Sequence, residues 1–210
     1  KGSALLARHW LALLTKRLMG SETLGERERV TELGSAMDGC LEHCGGAACP
    51  EASLLWQDRL LLSAAHPPLQ PAALAAILVR AGRGAQRDAA AEAAARAAEL
   101  AEEEGGAERV AQVAKECARR GVPAEVQAVL ERVCARACLR EGRVKDKEGE
   151  RALEAWAAGD AAKADHQVWL EWEAAERAAG RHKRAAAVHW RAMKTLADPA
   201  PFLHHHALLP

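Results

Sequence analysis

The sequence predicts an all-α protein, and three observations carry that prediction. Half of the 210 residues are hydrophobic, yet Ala supplies much of that half; Tyr is absent and Phe occurs once. Ala and the long charged side chains lose little freedom in a helix, whereas the β-branched and aromatic residues that favour strands are scarce. Gly and Pro breakers divide the chain into periodic pieces of ten to twenty residues. No piece alternates apolar and polar residues with a period of two, as a half-buried strand does.

The elements follow from those breakers in order. Gly20 ends a first helix over 4–19, and the Gly45-Gly46 pair ends a second over 24–43. His66-Pro67-Pro68 closes a third over 51–64, and Gly82 with Gly84 a fourth over 71–82. Gly105-Gly106 separates the Ala-rich piece 86–104 from 107–120, and Gly121 to Pro123 separates that from 123–140. The polar run "EGRVKDKEGE" precedes a helix over 149–164, and Gly180 parts the last two, 167–179 and 183–197. Taken in pairs, these ten helices begin near residues 4, 51, 86, 123 and 167. A spacing of roughly 35 to 47 residues is that of helical-repeat solenoids. A four-helix bundle needs fewer and longer helices. The expected architecture is therefore one domain, 1–210, of about five antiparallel helix hairpins stacked as an α-α superhelix.

Internal similarity supports stacking. "ILVRAG" (77–82) aligns with "VHWRAM" (188–193), and each follows a Trp-bearing helix, with Trp56 ahead of Arg80 and Trp169 ahead of Arg191. "VLERVC" (129–134) has the same order of residue types but falls in a first helix, so the repeat register between residues 84 and 147 stays open.

Charge and composition bound the function. Twenty-nine basic and twenty-nine acidic residues cancel, so the molecule as a whole does not attract nucleic acid or anionic lipid. No apolar run reaches the roughly twenty residues of a membrane span, and no signal peptide opens the chain. A soluble intracellular protein is expected, with its six Cys as reduced thiols inside helical patterns. Because it begins at Lys1, it is expected to be the C-terminal part of a longer protein.

The chemistry-bearing pattern lies between Val168 and Met193. Trp169, Trp172 and Glu176 stand at i, i+3 and i+7 and share one helix face. Ala185, Val188, Ala192 and Leu196 make a stripe of small and medium residues on the next helix, a groove for that indole ridge. Arg191 is placed to meet a carboxylate such as Glu176 or a neighbouring helix's C-terminus. The pattern Trp169-x-x-Trp172-x-x-x-Glu176, followed by Val188-His189-Trp190-Arg191-Ala192-Met193, resembles the HAT (half-a-tetratricopeptide) repeat. His189 stands where the family's second helix usually has an aromatic. "WRAMKTL" (190–196) with "DPAPFLHHHALL" (198–209) resembles, within that family, the HAT-repeat subunit of the UtpB complex.

That resemblance implies a non-catalytic scaffold of the small-subunit processome, the U-three small nucleolar ribonucleoprotein of the nucleolus. It implies β-propeller UtpB subunits as partners, contact with pre-ribosomal or small nucleolar RNA, and a role in 18S rRNA maturation. HAT scaffolds of pre-mRNA splicing and 3′-end cleavage are the nearest alternative. A tetratricopeptide-like adaptor for peptide carboxylates is the next, although the Lys, Arg and Asn cluster it needs is not found on consecutive first helices.

Other constellations carry less. Cys40, His43, Cys44 and Cys49 have ligand types for zinc, but Cys40 and Cys44 are simple helical neighbours, without paired CxxC knuckles, and no metal is predicted. Cys134 and Cys138, also four apart, are read as small core residues. His204, His205 and His206 are assigned a solvated or capping role. With no GxSxG, HExxH, Walker or Rossmann pattern, neither catalysis nor a cofactor or small-molecule substrate is expected. One basic cluster, Arg177, Arg181, Lys183, Arg184, Arg191 and Lys194, runs from 177 to 194 without an acid. Its ordinary reading is a solvated face. Its functional reading, centred on Arg181, Lys183, Arg184 and Lys194, is contact with RNA phosphate or an acidic partner helix.

Overall fold

The computed structural model describes residues 4–21, 23–44, 50–64, 71–84 and 87–206, and these form ten α-helices packed as sequential hairpins. Helices α1 (Ala4–Met19) and α2 (Glu26–His43) form the first pair, α3 (Pro50–Ala64) and α4 (Pro71–Gly84) the second. Pro at the first position of α3 and α4 costs no hydrogen bond, because that N–H has no acceptor within its own helix. At the start of α2 the Gly25 N–H donates to Glu28 Oε2 at 2.9 Å, a carboxylate reaching back to an otherwise unbonded amide.

Helix α5 (Arg87–Arg120) leaves helical geometry at Gly105 and Gly106, where the sequence predicts a break. The chain resumes with the Ala107 N–H donating to Glu141 Oε1 at 2.7 Å, so a carboxylate just past α6 (Ala124–Arg140) serves as the cap. A 3₁₀ turn, Arg143–Lys145, leads into α7 (Lys147–Ala158), and a second, Asp160–Lys163, into α8 (His166–Ala178). The expected helix over 149–164 thus ends early. Gly159 adopts extended backbone, which stops α7 at Ala158. Helix α9 (His182–Thr195) follows, then α10 (Ala200–His206), which the breaker pattern did not predict. Phe202 anchors α10 by burying its ring completely.

Two cores result. One fills the space among α1 to α6; the other, built around Trp156, Trp169, Trp172 and Phe202, lies among α6 to α10. Helix α6 divides them, giving Leu130, Cys134 and Cys138 to the first and Ala135 to the second. Gly149 marks one close approach: a Cβ there would lie 2.0 Å from the Arg143 carbonyl oxygen. Backbone cannot retreat as a flexible side chain does, so Gly149→Ala is expected to lower stability by about 2 kcal/mol in urea unfolding. An unchanged midpoint would show that the turn before α7 is looser than described.

Candidate functional site

The last hairpin is turned by Gly180, whose φ of 76° is the left-handed conformation that glycine adopts most readily. The Gly180 N–H donates to the Arg177 carbonyl at 2.8 Å and the Arg181 N–H to the Glu176 carbonyl at 2.9 Å, the paired bonds of a Schellman ending. This brings α9 back along α8. Trp169 and Trp172 then lie buried, stacked with centroids 5.7 Å apart, and Ala185, Val188 and Ala192 are buried on α9 with Leu196 just past its end. Trp156 of α7 tilts onto Trp169 at 4.9 Å. The Trp169 Nε1–H donates to the Ala162 carbonyl at 2.9 Å, and the Trp172 Nε1–H to Glu176 Oε1 at 3.0 Å. Trp56, on α3, is likewise buried.

Glu176 is fully buried yet charged partners surround it. Arg181 Nε stands 2.6 Å from its Oε2, an ion pair whose N–H is not aimed along the contact. Arg184 Nε stands 3.4 Å from Oε1. Both guanidiniums also reach Glu150 of α7, at 3.3 and 3.1 Å, and Arg181 donates to the Val144 carbonyl. A buried carboxylate survives only with such partners, because desolvating an unpaired charge costs several kcal/mol. Two of the four cations named as candidate RNA contacts are therefore committed to holding α7, α8 and α9 together. Arg177 is committed too, to Glu173.

Arg191 does not meet Glu176. It pairs with Glu154 of α7 and lies 6.0 Å above the Trp169 ring. Glu176 faces the turn end of the hairpin, and Arg191, two helical turns beyond Arg184, sits opposite α7 instead. Arg80 of α4 behaves in the same way, pairing with Asp38 and Glu42 of α2 at 2.8 and 3.1 Å. In each case an Arg on the second helix of one hairpin holds an acid on the second helix of the hairpin before it. First helices are linked likewise, with Arg8 of α1 to Asp58 of α3 at 2.9 Å and Arg136 of α6 to Glu171 of α8 at 3.1 Å.

Trp190 is not packing. It is 66 % exposed, on the side of α9 away from Val188 and Ala192. Lys183, Ala187, Trp190 and Lys194, at i, i+4, i+7 and i+11, share that exposed face over roughly 16 Å of helix. An indole between two ammonium groups suits stacking on a base, or packing against a partner helix with acids at its rim.

The thiols of Cys117, Cys134 and Cys138 are buried. Burial pushes the Cys117 thiol up to about 12; the hydrogen bond between Cys134 and Cys138, with burial, raises the Cys134 thiol, and the same hydrogen bond lowers that of Cys138. Both Cys134 and Cys138 border a cleft of about 440 Å³ between α5, α6 and α7. In the Cys40, His43 and Cys44 set, His43 Nδ1 lies 2.9 Å from the Gly39 carbonyl of its own helix, and Cys49 lies outside the described residues. The triple histidine divides. His204 is exposed, His205 Nδ1 bonds the Pro201 carbonyl at 2.7 Å, and His206 turns inward to Glu173. That Glu173, His189 and His206 come together is not legible in the sequence, because their separations, sixteen and seventeen residues, fit no local spacing.

Comparison of the chain with protein-family models, curated proteins and solved structures yields no match. Among the described residues, no helix is long and apolar enough to cross a membrane.

Proposed function

We propose that this chain is a non-catalytic scaffold: a solenoid of HAT-like helix hairpins serving the small-subunit processome and 18S rRNA maturation. The observation that carries the scaffold reading is the translational pattern of ion pairs, second helix to second helix and first helix to first helix. Contacts of that kind repeat along a line and leave long surfaces free for partners, as in helical-repeat proteins. The resemblance of the Trp169, Trp172 and Glu176 helix and of "WRAMKTL" to HAT sequences supports the processome assignment. The exposed face of α9 is the contact surface, with Lys183, Trp190 and Lys194 directed at a UtpB subunit or at pre-ribosomal RNA.

Affinity purification from nucleolar extract, with mass spectrometry and sequencing of bound RNA, tests this reading. UtpB subunits and ribosomal precursor RNA are expected. Recovery of splicing or cleavage factors with messenger precursors would transfer the scaffold to those machines, and capture of chaperone C-terminal peptides would replace it with an adaptor. The combined substitution Lys183→Glu, Trp190→Ala, Lys194→Glu is expected to weaken association at least about tenfold while circular dichroism is unchanged. If the contact is RNA, removal of the two ammonium groups also flattens the dependence of log affinity on log salt by about two. Association that survives all three changes would remove α9 from the interface.

A further inference from the structure

We propose that Glu173, His189 and His206 form a binding site for a divalent transition metal of zinc type, which clamps the short helix α10 onto the last hairpin. This inference stands apart from the scaffold reading. The three ligand atoms come from three helices, α8, α9 and α10, and all lie within 4.8 Å of one another. Glu173 Oε2 is 3.2 Å from His189 Nδ1, and Glu173 Oε1 is 2.9 Å from His206 Nε2. In a tetrahedral zinc site with bonds of about 2.1 Å, donor atoms stand roughly 3.4 Å apart. Side-chain adjustment of about an ångström therefore completes three corners, and a water takes the fourth.

The surroundings favour a cation. Glu173 is 1 % exposed, so its oxygens are already held in place and poorly hydrated. The two imidazole side chains are 22 and 27 % exposed, which leaves an entry path from solvent on their side. Phe202, fully buried, lies 5.2 Å from the His189 ring and forms an apolar wall beneath the donors.

The hydrogen bonding without metal is contradictory at one atom. His206 Nε2 lies 2.9 Å from the Glu173 carboxylate, which demands a proton on the nitrogen. It also lies 2.8 Å from the Arg177 guanidinium, which only donates and demands a bare lone pair. One nitrogen cannot satisfy both. A metal ion resolves the conflict by taking the lone pair and the carboxylate together, while Arg177, whose side chain is 41 % exposed, swings into water.

The test is titration of the untagged 210-residue protein with Zn²⁺ against a chromogenic chelator, and with Co²⁺ followed by absorption. One equivalent of each metal is expected to bind. The Co²⁺ spectrum is expected to show four-coordinate d–d bands without a thiolate charge-transfer band, because the donors are nitrogen and oxygen. His189→Ala with His206→Ala should weaken Zn²⁺ binding by at least about 100-fold, no less than the loss of a group behind a ligand produces. Arg177→Gln, which removes the competing cation without touching a ligand, should tighten binding several-fold, and His204→Ala should leave it unchanged. Hydrogen exchange should slow in α10 on metal addition. No binding up to about 1 mM, corresponding to no more than about 4 kcal/mol of affinity, would overturn the site. So would binding that survives the double substitution, a thiolate band in the Co²⁺ spectrum, or an Arg177→Gln variant that binds no better than the parent.

Discussion

Trp169→Ala is expected to destabilise the C-terminal half of the molecule by about 4 kcal/mol, within the range for deleting a fully buried indole. The residue has no exposed surface, and three losses coincide on its removal. Stacking with Trp172 and the tilted contact with Trp156 disappear, each aromatic pair being worth about 1 kcal/mol beyond its buried area. The Ala162 carbonyl, which accepts from Nε1 at 2.9 Å, loses its partner on the second 3₁₀ turn. A void opens where α7, α8 and α9 meet, and the small residues Ala185 and Ala192 cannot fill it. Because α6 separates two cores, the loss is local. Hydrogen exchange should accelerate in α7 to α10 before it does in α3 to α5, and denaturation followed at 222 nm should broaden or split. A loss below about 1 kcal/mol, or uniform acceleration along the chain, would contradict this assignment.

Glu176→Ala carries a comparable cost for a different reason. The substitution deletes a charge rather than a volume, and leaves the Arg181 and Arg184 guanidiniums facing each other across the vacated site with Glu150 alone to neutralise them. The Trp172 Nε1–H is also orphaned in a buried position. Breaking one side of a buried pair typically costs about 3 to 5 kcal/mol. Glu176→Gln keeps an acceptor for Trp172 and should cost about 2 kcal/mol, since the amide oxygen replaces one bond but not the charge. A double substitution, Glu176→Leu with Arg181→Leu, discriminates further. If the network is an isolated ion pair, removing both partners recovers most of the lost stability; if it is the junction of three helices, the Val144 carbonyl loses its donor, the Trp172 Nε1–H loses its acceptor, Glu150 keeps Arg184 alone, and recovery is partial. Full recovery would show that Glu176 serves charge balance alone.

These two residues illustrate what a one-dimensional pattern carries. The i, i+3, i+7 spacing of Trp169, Trp172 and Glu176 placed them on one face, and all three are buried there. Their surroundings depended on α7, which that spacing does not mention. The same limit applied to Trp190 and Arg191. Adjacent in sequence, they are separated by about 100° around α9, and one faces solvent while the other reaches Glu154. The basic cluster was visible as a composition feature, but its division was not. Arg181 and Arg184 turn toward a buried acid; Lys183, between them, and Lys194 point outward.

By itself the chain's residue order determined the helices up to α9, apart from the early end of α7, because capping, glycine and proline effects and the absence of strand formers act within a few residues of one another. It determined as well that α8 and α9 turn back on each other, through Gly180 and two complementary faces. Tertiary structure alone decided which carboxylate each Arg holds, that His206 rather than His204 folds under the last hairpin, and that Glu173 shares its site with two imidazoles. Long charged side chains reach acids on several neighbouring elements, and the choice among them follows from the stacking of whole helices, over distances of about thirty-five to fifty residues along the chain, which no local periodicity encodes.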